Sequence, residues 1–441
     1  MISRALRGRV LSFCQDPALV PADQAVRYWH DGMVLIEDGL ITAVADAADL
    51  RTHVPLGISI EEHGDRLILP GFIDPHIHYP QTQVIASYGA QLIEWLNKYT
   101  FPAEAAYGDP AFAAVQARFF VNEMLRNGTT TASVYCTVHP GSAEAFFAES
   151  ERRNTRMIAG KSMMDRNAPA ELCDDPEQSY RDSAALAERW HRRGRQLYAI
   201  TPRFAITSSE AQLAAAGALL QAFPDAYLQT HLAENHDEIA AVRRLFPHDE
   251  SYTAVYRRHG LLGERSLLGH CIHLDDDEVR SLAETRSVAV FCPTSNLFLG
   301  SGLFNAARRR AAGVRIGIAT DVGGGTSYSM LRTAAEAYKI LQLQRQSWPA
   351  LAAFHAITRG NASILGLDQT IGSIAPGFEA DLVVLDPAAT PAMRHRLDAI
   401  RHDLPELDRL AEELFLLMTL GDDRAVRAVY VAGVAQTWEA P

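Results

Sequence analysis

Between residues 70 and 370, short apolar runs alternate with longer stretches whose apolar positions recur every three to four residues. The short runs are GFIDPHIH (71–78), GTTTASVYC (128–136), TRMIAGKSMM (155–164), LYAITPRFA (197–205), AYLQTHLAE (226–234), SLLGHCIHL (266–274), VAVFCPTSN (288–296) and VRIGIATDV (314–322). Segments such as DPAFAAVQARFFVNEMLRNG (109–128) and SSEAQLAAAGALLQAF (208–223) carry the helical period between them. Eight buried-strand signals, spaced by helix-length segments and each followed by a turn, predict an α/β chain folded as a (β/α)8 TIM-type barrel.

The ends of the chain read differently. GRVLSF (8–13) and MVLIEDGLITAVAD (33–46) are strand-like, the latter broken by Asp38-Gly39, the dipeptide of a two-residue hairpin. GSIAPGFEADLVVLD (372–386) and VRAVYVAGVAQ (426–436) repeat that character near the other terminus. The expected organisation is therefore a small β-sandwich built from residues 1–69 and 375–441, with the barrel at 70–374. PELDRLAEELFLLM (405–418) reads as an amphipathic helix able to pack on a partner or on its own barrel.

Reactive side chains of such a barrel gather at the carboxyl ends of its strands. The first strand ends with His76 and His78, which at i and i+2 share a face. The fifth ends with His231, the sixth with His270 and the eighth with Asp321. A lone histidine is more often a satisfied core residue. Several imidazoles and a carboxylate in register at strand ends instead suit a catalytic zinc or iron ion with a position left for water. Glu234, three residues past His231, has the reach of a general acid, although alone it would read as a solvated charge. Lys161, ending the third strand, reads as a structural or salt-bridged lysine. Trp95, an aromatic that could stack on a flat substrate ring, reads more often as core, and the HDE at 248–250 as coincidence.

Composition narrows the class. Hydrophobic residues make up 48% and charged ones 21%, as in a globular protein, and the net charge of −12 argues against a nucleic-acid partner. Five scattered cysteines form no disulfide framework, and no stretch reads as a signal peptide or a membrane span, so the expected location is the cytoplasm with no membrane partner.

PGFIDPHIH with THLAEN, GHCIHL and ATDVGGG, framed by EDGLITAV and GSIAPGFEADLVVLD, resembles the amidohydrolase superfamily. HIHYPQTQVIASYGAQLIEWLNKYTFPAE, TPRFAITSSE, CPTSNLFLGSGLF and TDVGGGTSYSMLRTAAEAYK are similar to the guanine deaminase family within it. The resemblance covers nearly the whole chain. It implies metal-dependent hydrolysis of guanine to xanthine and ammonia, with one zinc ion (iron as the alternative) on His76, His78, His231 and Asp321. It further implies that Gln81, Arg203 and Phe204 contact the purine, with Arg203 donating to O6, and that His231, Glu234 and His270 adjoin it. Glu234, Asp321 and His270 would act in catalysis, His270 either as a metal ligand or as a donor beside the metal, and the chain would form a homodimer. Another deaminase or chlorohydrolase of the superfamily, or an inactive scaffold, are the competing expectations; the scaffold is disfavoured because every ligand position is filled.

Overall fold

The computed structural model describes residues 3–89 and 91–438. In chain order its strands are β1 Arg4–Phe13, β2 Val26–Glu37, β3 Leu40–Asp46, β4 Ile60–Pro70, β5 Phe72–His78, β6 Thr129–Tyr135, β7 Arg156–Gly160, β8 Ser162–Met163, β9 Leu197–Pro202, β10 Tyr227–Leu232, β11 Ser266–His270, β12 Val288–Phe291, β13 Arg315–Ile318, β14 Leu382–Leu385, β15 Val426–Val431 and β16 Val434–Ala435.

The parallel path β5-β6-β7-β9-β10-β11-β12-β13, with β8 added on β9, is the barrel, and each expected apolar run supplies one of its strands. Every residue of β5, β6 and β11 is buried, because a parallel sheet sheathed by helices has no wet face. Backbone bonds from Asp321 N to His76 O (3.0 Å) and from His78 N to Val322 O (2.8 Å) join the first and last segments at the mouth. The intervening helices start where the sequence offers a cap. The Asp109 carboxylate accepts from Ala111 N ahead of helix Pro110–Arg126, and Ser209 Oγ accepts from Gln212 N ahead of Glu210–Ala222.

The terminal strands form one seven-stranded mixed sheet, β16-β15-β14-β4-β1-β2-β3, drawn from both ends of the chain. Its β2–β3 hairpin turns on Asp38 (φ 49°) and Gly39 (φ 83°), the paired left-handed residues that such a tight turn demands. Alternate residues of β14 serve two cores: Leu382 and Val384 pack with Leu6, Val34 and Ile68 within the sheet, whereas Val383 and Leu385 join the main core. That double burial explains the unbroken apolar run LVVL. The amphipathic helix Glu406–Leu420 buries Leu410, Leu414 and Leu417 and packs on helices Met330–Leu343 and Ala350–His355 of its own chain. Among the described residues no helix is long and apolar enough to cross a membrane.

Candidate active site

His76, His78, His231 and Asp321 meet at the carboxyl end of the barrel. Nε2 of His78 lies 3.3 Å from Nε2 of His76 and 3.2 Å from Nε2 of His231. Asp321 Oδ1 is 3.3 Å from both His76 Nε2 and His78 Nε2. One donor atom from each of the four falls within 4.8 Å of all the others. Local sequence makes the convergence possible. Gly269 stands where a Cβ would come within 2.5 Å of the His76 ring, so only glycine leaves that imidazole its place. Tyr135 stacks on His78 with ring centres 4.3 Å apart.

The chemistry of this donor set fits a cation. His231 Nδ1–H donates to Arg203 O at 2.7 Å, which leaves the Nε2 lone pair facing inward. Burial pushes the His78 pKa down to about 3 and holds that of His231 well below the usual range, so both rings are neutral ligands at physiological pH. Burial opposes the charge of Asp321, but the adjoining His76 and His78 rings outweigh it and hold the carboxyl well below its ordinary value. Lone pairs and a carboxylate crowded together without a positive charge would repel. Three imidazoles and one carboxylate are the donor types that zinc takes in a catalytic site. A second possible grouping joins His76 and Asp321 with His270 and Cys292. There burial holds the Cys292 thiol far above its usual range, and a thiol binds metal only once deprotonated.

His270 and Glu234 stand beside the cluster. His270 Nδ1–H donates to Asn296 Oδ1 at 2.9 Å, and its Nε2 lies 3.3 Å from Glu234 Oε2 and 3.6 Å from Asp321 Oδ2. Glu234 precedes helix His236–Leu245, whose first turn is held by a capping box. Asn235 caps the helix, and Glu238 turns back to accept from Glu234 N (2.8 Å) and Asn235 N (3.1 Å). Ser301 Oγ donates to Glu234 Oε1 at 2.8 Å. Burial, reinforced by the Asp321 charge, pushes the Glu234 carboxyl up to about 8, so it carries a proton at neutral pH. Its environment is thus a closed, hydrogen-bonded niche rather than solvent.

One cavity adjoins the cluster, with His76 buried outside its lining. His78, His231, Glu234, His270 and Asp321 form one side, Gln81 and Arg203 another, and Phe204, Leu92, Trp95, Leu96 and Leu299 an apolar wall. Each site residue expected from the sequence therefore lies at one location. Trp95, expected as core, is buried and also faces the cavity. Its helix presents Leu92, Trp95 and Leu96 with ordinary core spacing, which hides the second role. Lys161 does not line the cavity. It is fully buried and bonded to Asp174, Ser162 O (3.2 Å) and Ser179 Oγ (3.3 Å), in keeping with a structural lysine.

The wider likeness of the chain agrees with this geometry. Residues 67–435 match the model of the amidohydrolase family. The guanine deaminase of Escherichia coli strain K12 is 48% identical over 409 residues, 93% of this chain and 92% of that protein. The solved structure of the E. coli guanine deaminase superposes with a TM-score of 0.95 at 46% identity, covering 99% of this chain and 100% of the other. A guanine deaminase of C. acetobutylicum, solved with guanine in its active site, gives 0.84 at 25% identity over 98% and 99% of the two chains. Reach over nearly the full length of both partners, at 48% and 46% identity for the E. coli protein, excludes a likeness confined to the barrel. The chain belongs to the amidohydrolase family and, within it, to the guanine deaminases.

Proposed function

We propose that the chain hydrolyses guanine at C2 to xanthine and ammonia, using one zinc ion on His76, His78, His231 and Asp321. The observation that carries this reading is one cavity lined by Arg203 and Gln81 together with Glu234, His270 and Asp321. The activity of the relatives, one of them holding guanine, supports the substrate.

His76, His78, His231 and Asp321 would hold the zinc ion, which when bound would supply a water acidified from a pKa of about 15.7 to near 7. Asp321 Oδ2, the oxygen turned toward His270, receives a proton from the attacking water. His270 has its Nδ1–H engaged by Asn296 and offers Nε2 to align the water oxygen toward C2. Glu234 gives its proton to N3, which makes C2 electrophilic. The proton held by Asp321 passes to the amino group, which leaves as ammonia when the C2–N bond breaks; the hydroxyl proton returns to Glu234 as the C2 carbonyl forms, so xanthine keeps the N3 proton and both carboxyl groups are restored. Phe204 and Trp95 exclude water from the purine faces.

Arg203 sets the substrate preference by donating to O6, where a 6-aminopurine would present a donor instead. Arg203→Ala is expected to lower kcat/KM for guanine by about 10²-fold or more while leaving metal content unchanged. Steady-state kinetics with elemental analysis check this, and loss of metal would instead make Arg203 a structural residue. The catalytic unit is assigned to residues 70–374, with 1–69 and 375–441 as the composite unit. A cytoplasmic homodimer completes the proposal, supported by the scattered cysteines and the family resemblance; light scattering of the purified protein tests the dimer.

A further inference from the structure

Glu104 closes the stretch HIHYPQTQVIASYGAQLIEWLNKYTFPAE with no role assigned to it there, yet its side chain is almost wholly buried. It sits on the short helix Phe101–Ala105 and does not line the cavity. Both its oxygens accept from Arg203 Nη1, at 2.7 and 2.6 Å, and Oε1 also accepts from Gln81 Nε2 at 3.2 Å. Gln81 Oε1 in turn accepts from Gly323 N at 3.2 Å. The Phe101 ring lies under the guanidinium, 5.6 Å from its carbon to the ring centre. Among the described residues no protein acceptor bonds the Nε or Nη2 of Arg203.

The carboxylate thus stands behind the two residues that face the purine and holds each by one nitrogen. It can only accept, so it forces the amide of Gln81 to turn its NH2 inward and its oxygen toward Gly323. What remains free at the cavity edge is N–H: the second amide hydrogen of Gln81 and the outer hydrogens of Arg203. A buried ion pair gives little net stability, since desolvation cancels most of its attraction. Its contribution here is orientation.

We infer that Glu104 is a positioning residue for substrate choice, fixing Arg203 and Gln81 as a donor-only edge that accepts a 6-oxopurine and rejects a 6-aminopurine. This rests on the reading of the cavity as a guanine site. Glutamine at 104 would face one of these donors with its own NH2, releasing the Gln81 amide to turn over.

The test is a cycle of Glu104→Gln, Arg203→Ala and the double variant, with guanine turnover, inhibition by 2,6-diaminopurine and metal content measured for each. E104Q is expected to raise the KM for guanine about 10- to 100-fold, with kcat within about threefold and metal unchanged. The Ki of 2,6-diaminopurine should hold or tighten. Added to Arg203→Ala, E104Q should cost less than about threefold more, because it acts through that residue. Losses that multiply in the double variant, or a kcat and Ki that worsen together with KM, would overturn the inference. Should E104Q fail to fold, Glu104→Asp keeps the charge and should show the same rise in KM alone. Wild-type protein inert toward guanine would sink the functional reading. A crystal structure of E104Q then decides separately: Arg203 and Gln81 displaced support positioning, and both in place refute it.

Discussion

Glu234→Gln is expected to lower kcat for guanine by about 10²–10⁴-fold while zinc stays bound at wild-type stoichiometry. The substitution keeps the shape of the side chain, and its amide oxygen still accepts from Ser301 Oγ, which lies 2.8 Å from Oε1. What it removes is a transferable proton. Burial and the neighbouring Asp321 charge lift this carboxyl to about 8, so the native residue is charged with a proton at the pH where the enzyme works. An amide holds hydrogens it cannot release. Because Glu234 is not among the four converging donors, metal content should not change. Steady-state kinetics beside elemental analysis check both halves. Turnover at the wild-type rate would remove Glu234 from the chemistry, and metal loss would move it into the donor set.

The second large effect is expected from His78→Ala. Nε2 of His78 is the most central donor, within 3.2–3.3 Å of His76, His231 and Asp321. Removing it leaves two imidazoles and a carboxylate. Purified His78→Ala should retain little zinc, and kcat/KM should fall by about 10³-fold or more, since the water then keeps a pKa far above neutrality. A ligand that binds only the folded state raises the melting temperature, so added zinc should stabilise the apo wild-type protein and leave the variant unmoved. That thermal readout separates loss of the metal from loss of the fold. Equal zinc binding and activity in the variant would contradict the assignment of His78.

Much of this site was legible in the sequence because periodicity does the placing. A strand with period two must set His76 and His78 on one face, and a barrel must bring the carboxyl ends of its strands together. Hence His231, His270 and Asp321, separated by many residues, could be expected at one mouth. The hairpin at Asp38-Gly39 was readable for a local reason, since both residues tolerate positive φ, and both adopt it. Glu104 was not readable. An acid in FPAEAAYG looks like any solvated charge in a first helical turn, and its burial depends on Arg203, which lies 99 residues away in the chain. Trp95 is core, as expected, and its place at the cavity is the part that could not be read. Its apolar spacing with Leu92 and Leu96 is that of a core helix, and nothing local reveals that this core borders a cavity. The amphipathic helix near the C-terminus left two packing partners open, and the fold places it against helices Met330–Leu343 and Ala350–His355 of its own chain. In each instance the missing information is a long-range contact, which no local pattern encodes.

The most direct measurement is the ultraviolet-monitored conversion of guanine by purified protein, before chelation, after chelation, and after zinc is returned, with adenine, cytosine and ammeline in parallel. Xanthine formed from guanine in preference to the other three, abolished by chelation and restored by zinc, is the expected result. Guanine left unchanged while another of these bases is deaminated would contradict the roles given to Arg203 and Gln81. Full activity after complete metal removal would contradict the metal centre itself.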